Sequence, residues 1–200
     1  MKTFLMICLC AGMGLTAQAQ NGRFWQVNLG TDRRTAVLQQ IHARGAVVMS
    51  DYPGPQVSLE KNIRVQGRFD GRDSVKMEFG FVSPIHKNQE DLLYAGTVFL
   101  PRESPESYAA TFYEYFRKLQ SRYGSPGSNQ DFNAGDSITE AVFLNKITSG
   151  TEFRLGWRDT QTGVSRQLVY KPDLPEKLVL DYRMLDMMRM TRYLKDTSDY

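Results

Sequence analysis

The stretch SPESYAATFYEYFRKLQSRYGSP, Ser104 to Pro126, decides the fold. Ser104 suits the N-cap of a helix, Pro105 fits its first position with a preset φ, and Glu106 lies where the macrodipole favours a negative charge. Tyr108, Phe112, Tyr115, Phe116, Leu119 and Tyr123 recur at the helical period, with Glu114, Arg117, Lys118 and Arg122 mostly elsewhere on the wheel. Gly124 can take the left-handed conformation that closes a helix, and Pro126 prevents its continuation. The spacing predicts one long helix whose aromatic stripe is buried core rather than a ligand box. A stripe of that width needs a sheet to cover it, so the flanking segments are read for strands.

Upstream, Thr31 and Asp32 both suit the cap of a shorter helix running to about Arg44, with Val37, Leu38 and Ile41 on one face and Gly45 as its stop. Residues 20–30, with Phe24, Trp25, Val27 and Leu29, form an edge strand or lie over the core. A ligand-stacking role for Trp25 is the weaker reading. Ala46 to Ser50 reads as a buried strand that ends at the turn Tyr52-Pro53-Gly54-Pro55. Ile63, Val65, Gly67 and Phe69 alternate with polar residues, and Val75, Met77, Phe79 and Phe81 resume the alternation after Asp70-Gly71-Arg72-Asp73. Directly opposed residues share a face, so apolar odd positions on both strands demand an odd loop and exclude a two-residue Asp-Gly turn. Leu92, Tyr94, Gly96, Val98 and Leu100 give a fourth strand ending at Pro101.

Downstream, residues 138–144 carry two signals. Ser137-Ile-Thr-Glu140 spells a capping box for a short helix, while Ile138, Val142, Phe143 and Leu144 also suit a strand. The strand is preferred because Phe153, Leu155 and Trp157 alternate and need partners, with Val164 to Tyr170 and Leu178, Leu180 and Tyr182 as further strands. The expected fold class is α+β: two α-β-β-β-β units, 20–103 with an N-terminal extension and 104–183, each an antiparallel sheet backed by a helix. Residues 184–200, with Met184, Met187, Met188 and Met190, form a tail or short closing helix.

The N-terminus bears on location. Lys2 precedes the apolar run Phe4 to Leu15, which closes on Ala17-Gln18-Ala19, the small-x-small pattern of signal-peptidase sites. The expectation is a signal peptide over 1–19 cleaved before Gln20, and a periplasmic or extracellular protein with no transmembrane segment in the mature chain. Both cysteines, Cys8 and Cys10, fall inside that leader, which removes disulfides, a thiol nucleophile and thiolate metal sites from the mature chain. Taking Lys2 from the 25 basic residues leaves 24 against 22 acidic ones, scattered along the chain, so no nucleic-acid partner is implied.

Chemistry-bearing residues are sparse. His42 lies late in the first helix and His86 in a polar loop, without metal-ligand spacing between them. Glu90-Asp91 and Asp70 with Asp73 are paired carboxylates in loops, which ordinary solvation explains. Asn129, Asp131, Asn133 and Glu140 occupy positions 1, 3, 5 and 12 of an EF-hand-like loop, but Ala134 replaces the glycine at position 6 and Asp136 stands at the apolar eighth position, so a plain polar loop is favoured over a calcium site. No catalytic, cofactor-binding or metal-binding residue is assigned, and no cofactor is expected.

The helix end Leu119-Gln-Ser-Arg-Tyr123-Gly124-Ser-Pro126, with strands such as Phe153-Arg-Leu-Gly-Trp157 and Leu178-Val-Leu-Asp-Tyr182, resembles the unit of exported bacterial α-β4 proteins: the β-lactamase-inhibitory-protein fold and the small outer-membrane assembly lipoproteins similar to it. The Ala17-Gln18-Ala19-Gln20 junction resembles that of secreted Bacteroidetes proteins. The chain departs from both groups in having no cysteine for the inhibitor's disulfides and no lipidated Cys, so neither inhibition nor anchoring carries over, and no functional residue is transferred. The resemblance implies an exported, non-enzymatic module that binds an envelope protein or a peptide through aromatic anchors on its sheets. The competing expectation is a hydrolase or carbohydrate-active protein with its site between the sheets, near His86, Asp91 and Asp131.

Overall fold

The computed structural model describes residues 23–53, 60–82, 90–101, 103–127, 131–132, 137–173 and 178–184. The expected leader at 1–19 and the tail beyond Met184 lie outside them. Along the chain run β1 (Arg23–Phe24), β2 (Val27–Asn28), α1 (Arg34–Ala43), β3 (Val47–Pro53), β4 (Glu60–Phe69), β5 (Arg72–Val82), β6 (Leu92–Leu100), α2 (Pro105–Tyr123), α3 (Glu140–Thr148), β7 (Phe153–Arg158), β8 (Val164–Tyr170) and β9 (Leu178–Met184). The class is α+β with antiparallel strands, as the alternation predicts.

The central helix α2 follows its sequence signals. The Ser104 side chain accepts the Ser107 N–H, Pro105 opens the helix, and Tyr108, Phe112, Tyr115, Phe116 and Leu119 are buried. The first half follows its expected order, α1 and then four strands. The second half differs by one element: residues preferred as a strand form helix α3, capped by Thr139, whose side chain accepts the Val142 N–H at 3.4 Å. Phe143 and Ile147, four residues apart, are the buried pair of α3, which places them on one face of a helix. The capping box was the correct signal, displaced by two residues from Ser137 to Thr139.

The second difference concerns the sheets. The expected two are one continuous seven-stranded antiparallel sheet, ordered β3-β4-β5-β6-β9-β8-β7, in which the last strands of the two halves pair, Val98 opposite Leu180. Pairing β6 with β9 satisfies the backbone edge that each half would otherwise leave exposed. The three helices and the β1–β2 hairpin share one core cluster with the inward strand positions, including Ile63, Met77, Phe79, Val98, Leu155 and Leu168. A second, smaller cluster of Val82, Tyr94 and Ala95 lies apart from it.

The β4–β5 turn corrects the parity expectation. Phe69 pairs with Arg72 across a two-residue Asp70-Gly71 turn, and both turn residues have positive φ, 48° and 81°. The missing odd residue is supplied within the strands: Gly67 pairs with Val75, so Arg68 stands against both Asp73 and Ser74, with Ser74 bulged at φ 58°. A bulge shifts parity as an extra loop residue does, and it leaves the favoured Asp-Gly turn intact.

Residues 23–30 cover the core. Trp25 and Gln26 form the β1–β2 turn with φ of 47° and 67°, a conformation costly for residues with a Cβ. Tertiary contacts hold it: the Trp25 indole N–H donates to the Arg68 carbonyl at 2.8 Å, its ring lies 5.7 Å from that of Phe79, and the Arg44 guanidinium sits 4.7 Å from it. Trp25 is thus buried in the fold rather than presented for stacking on a ligand. At the far end of the core, Arg166 is buried with its guanidinium 4.1 Å from the Tyr123 ring, beside the end of α2 where Trp157 Nε1 donates to the Gly124 carbonyl. Such a cation is held by the ring face and the negative end of the helix.

Candidate functional site

The structure disperses the residues that the sequence offers for chemistry. His42 is exposed on α1, and His86 lies outside the described residues. The Asp91 carbonyl accepts the Arg34 N–H at the start of β6, and the Asp131 carboxylate accepts the Arg154 N–H at 2.8 Å beside β7. Arg154 is opposite Val169, Val169 opposite Val179, and Val179 opposite Phe99, so Asp131 belongs to the Leu100 end of the sheet and Asp91 to the Leu92 end. Nine residues of β6 separate those ends, roughly 30 Å of extended chain. Nor is there a cleft between two large sheets, since the strands of both halves form one. Glu90 accepts from the Thr35 hydroxyl at 2.7 Å, and Asp73 lies 3.6 Å from Arg68. Of the calcium-loop residues, Asn129 and Asn133 lie outside the described residues, Asp131 is engaged by Arg154, and Glu140 is exposed at the start of α3. No group of three or more His, Cys, Asp or Glu able to hold a metal occurs among the described residues.

The densest charged cluster serves the fold. Asp70, at the tip of the β4–β5 hairpin, accepts from Lys118 of α2 at 2.7 Å, and Lys118 also meets Glu114 at 2.7 Å. Beside them Arg72 reaches Glu103 at 3.3 Å and the Thr111 hydroxyl at 3.0 Å. The Lys118 hydrogen bond holds the Asp70 carboxyl below its ordinary value. Partial burial opposes charge on Lys118, but its bonds to Asp70 and Glu114 outweigh that and hold it above its usual value. Burial, then the Asp70 charge, pushes the Tyr115 phenol up.

A pH dependence follows. A depressed carboxyl stabilises the fold fully above its unfolded-state value and ceases to do so as pH falls through its folded one. A raised lysine stabilises fully below its unfolded-state value and ceases as pH rises through its folded one. We expect Tm to fall on acidification below about pH 4, with a shallower acid slope in Asp70→Asn. The Lys118 and Asp70 side chains are 50% and 41% exposed, so the variant costs at most about 1 kcal/mol at neutral pH. That corresponds to a Tm shift of about 2–4 °C by calorimetry. An acid slope identical in the two proteins would assign the effect to other carboxylates.

The sheet edges carry the more informative asymmetry. At one edge, β7 is occupied: the Gly127 N–H donates to the Gly156 carbonyl at 2.9 Å, and Asp131 takes the Arg154 N–H. At the other, no described residue hydrogen-bonds to the outward backbone of β3. Val47 and Met49, 65% and 54% exposed, are the large apolar side chains left exposed among the described residues, and both lie on this strand. The stretch Ala46 to Ser50, expected to be buried, is therefore an edge strand. Val48, opposite the buried Val65, packs on the core, while Val47 pairs with Gln66 on the other face and a bulge at Met49 shifts the alternation.

Next to this edge, on the face away from the helices, a groove of about 400 Å³ is lined by Met49 and Ser50 of β3, Arg64 of β4, Lys76 of β5 and the half-buried Phe99 of β6. Arg64 donates to Glu78 at 2.7 Å, and Arg183 to the buried Asp181 at 2.6 Å; Lys76 and Arg158 give the same face a positive balance. Sequence reasoning did not single out Met49, Arg64, Lys76 or Phe99. The signal was present in the outward positions of β4, β5 and β6, where Phe99 and the cluster of Val82, Tyr94 and Ala95 stand among polar residues, but which strands lie side by side is set by tertiary pairing. No helix of the described residues is long and apolar enough to cross a membrane. Compared with known proteins, the chain matches no family model, no curated protein and no solved structure.

Proposed function

We propose that this chain is an exported, non-enzymatic binding module that holds an envelope protein or a peptide on the helix-free side of its seven-stranded sheet. The observation that carries the reading is the groove beside Phe99, which joins the exposed Met49 of β3 to the basic positions Arg64 and Lys76. Apolar anchors rimmed by charge are the common composition of a recognition surface. The leader-like segment with Lys2 and Ala17-Gln18-Ala19 supports export. The hydrolase alternative loses support because Asp91 and Asp131 lie at opposite ends of the sheet.

The test is quantitative capture from envelope extracts by three forms of the protein. Wild type and the helix-side control Arg117→Glu are expected to retain the same partner, and the double variant Phe99→Lys/Lys76→Glu to retain about tenfold less. Equal retention by all three, or retention of nothing, would overturn the reading.

A further inference from the structure

We infer that Met49 is a redox-sensitive modification site: an oxidant of the peroxide class converts its thioether to the sulfoxide, which weakens the hold of the groove on its partner. This rests on the binding reading above and names the regulation of that site. The two cysteines of the chain, Cys8 and Cys10, fall in the expected leader, so once it is removed the methionine thioethers are the softest sulfur left to an oxidant. Met49 and Met77 form a natural comparison. Met49 is 54% exposed and Met77 1%. Only one strand separates them, since Met77 lies opposite Val65 of β4 and Val65 lies opposite Val48, the residue before Met49.

The difference in exposure has a backbone cause. Along β3 the pairing passes from Val48 opposite Val65 to Ser50 opposite Arg64, which makes Met49 the extra residue of a bulge. A bulged residue escapes the strict alternation of faces that its neighbours obey. Val48 packs on the core, whereas Met49 lines the groove that Phe99 also lines. With hydrogen peroxide, a sulfur lone pair attacks one oxygen and the O–O bond breaks. The hydroxide that leaves takes the proton of the transferred oxygen and becomes water, so sulfur loses two electrons and the peroxide gains them. The product replaces a flexible apolar side chain by a polar, chiral one. In a core that change disrupts packing, but at an exposed bulge water meets the new oxygen, so the fold is kept while the groove loses an apolar anchor. Reductases specific for each sulfoxide epimer reverse the step, which makes it a switch rather than damage.

The test exposes the full chain to hydrogen peroxide and follows two quantities in time: oxygen uptake in each tryptic peptide by mass spectrometry, and partner capture from envelope extracts. Peptides 45–61 and 77–87 each hold one methionine, Met49 and Met77. Met49 is expected to react at least about tenfold faster, because Met77 must await an opening of the core. Once Met49 is oxidised, capture is expected to be about tenfold weaker, with Tm within about 2 °C of the untreated protein. Met187, Met188 and Met190 lie outside the described residues, so the loss of capture is compared with the oxidation rate of every methionine peptide and is expected to follow 45–61. In Met49→Leu, capture after peroxide is expected to equal capture before it. The inference is overturned if Met49 and Met77 react at the same rate, if capture survives complete oxidation of Met49, or if its loss follows another peptide or persists in Met49→Leu. Where untreated protein captures nothing, the binding reading falls and the switch with it, whereas preferential oxidation of Met49 without loss of capture removes the switch and leaves the binding reading standing.

Discussion

Gly96→Ala is expected to cost about 3 kcal/mol or more, although it adds a single methyl group. Gly96 lies in β6, the central strand of the sheet, and a Cβ there would stand 2.1 Å from Cδ1 of Phe24 and 2.4 Å from two further atoms of its ring. The ring has little room to withdraw: it is 1% exposed, 5.4 Å from the Phe79 ring and 6.4 Å from that of Phe69. The backbone of β6 is held by β5 on one side and β9 on the other, so Phe24 must yield. For a chain of this size the loss corresponds to a fall in Tm of about 6–12 °C. Phe24→Ala alone costs about 3–5 kcal/mol. The double variant is expected to cost clearly less than the sum, because the methyl then enters the space the ring vacates. Strict additivity in urea unfolding would show that Phe24 does not sit on Gly96.

Phe143→Ala is expected to be comparably severe, about 3–5 kcal/mol. Phe143 is fully buried at the centre of an aromatic cluster, 4.3 Å from the Phe112 ring, 5.7 Å from those of Phe132 and Phe153, and 5.9 Å from that of Phe116. Its removal opens a cavity between α2, α3 and β7, of which α2 and β7 still meet through Phe112 and Phe153, 4.7 Å apart. The comparison that makes the experiment diagnostic is along α3: Ile147→Ala should also be large, at about 2–5 kcal/mol, and Val142→Ala, only partly buried, small. Loss at positions 143 and 147 with tolerance of substitution at the exposed Asn145 between them is the helical period, since a strand would put all three on one face. An alternating loss at 142 and 144 would restore the strand reading of this segment.

That segment shows where local information stops. Ile138 to Leu144 has enough β-branched and aromatic residues for a strand, and the argument for one was that Phe153, Leu155 and Trp157 needed a partner. They have one: β7 pairs with β8 on one side, and on the other its edge is closed by Gly127 and Asp131 from the loop after α2. The need for another strand was met by a loop. The hairpin parity teaches the same lesson, because the register argument was sound but the extra residue could sit in the turn or in the strand, and the bulge at Ser74 took it. For the candidate site, every lining residue was in view, yet four strands distant in sequence had to be ordered before Met49, Arg64, Lys76 and Phe99 became neighbours.

Taken alone, the sequence determined those features whose causes lie within a few residues of one another: the capped ends of α2, its aromatic face, and the alternation of β4, β5 and β7. In β6 a register shift opposite Gly80 and Phe81 puts Leu93 in the core and Leu92 and Tyr94 in the smaller cluster, against the expected alternation. Capping bonds and side-chain periodicity act over three or four positions, so they can be read directly. Tertiary structure decided that the two halves merge through β6 and β9 into one sheet, that residues 140–148 form a helix, and that, of the two edges of that sheet, described residues bond to the outward backbone of β7 and not to that of β3. Those outcomes depend on contacts between segments tens of residues apart, where strand pairing obeys backbone geometry common to every residue and leaves no local mark of which partner is chosen.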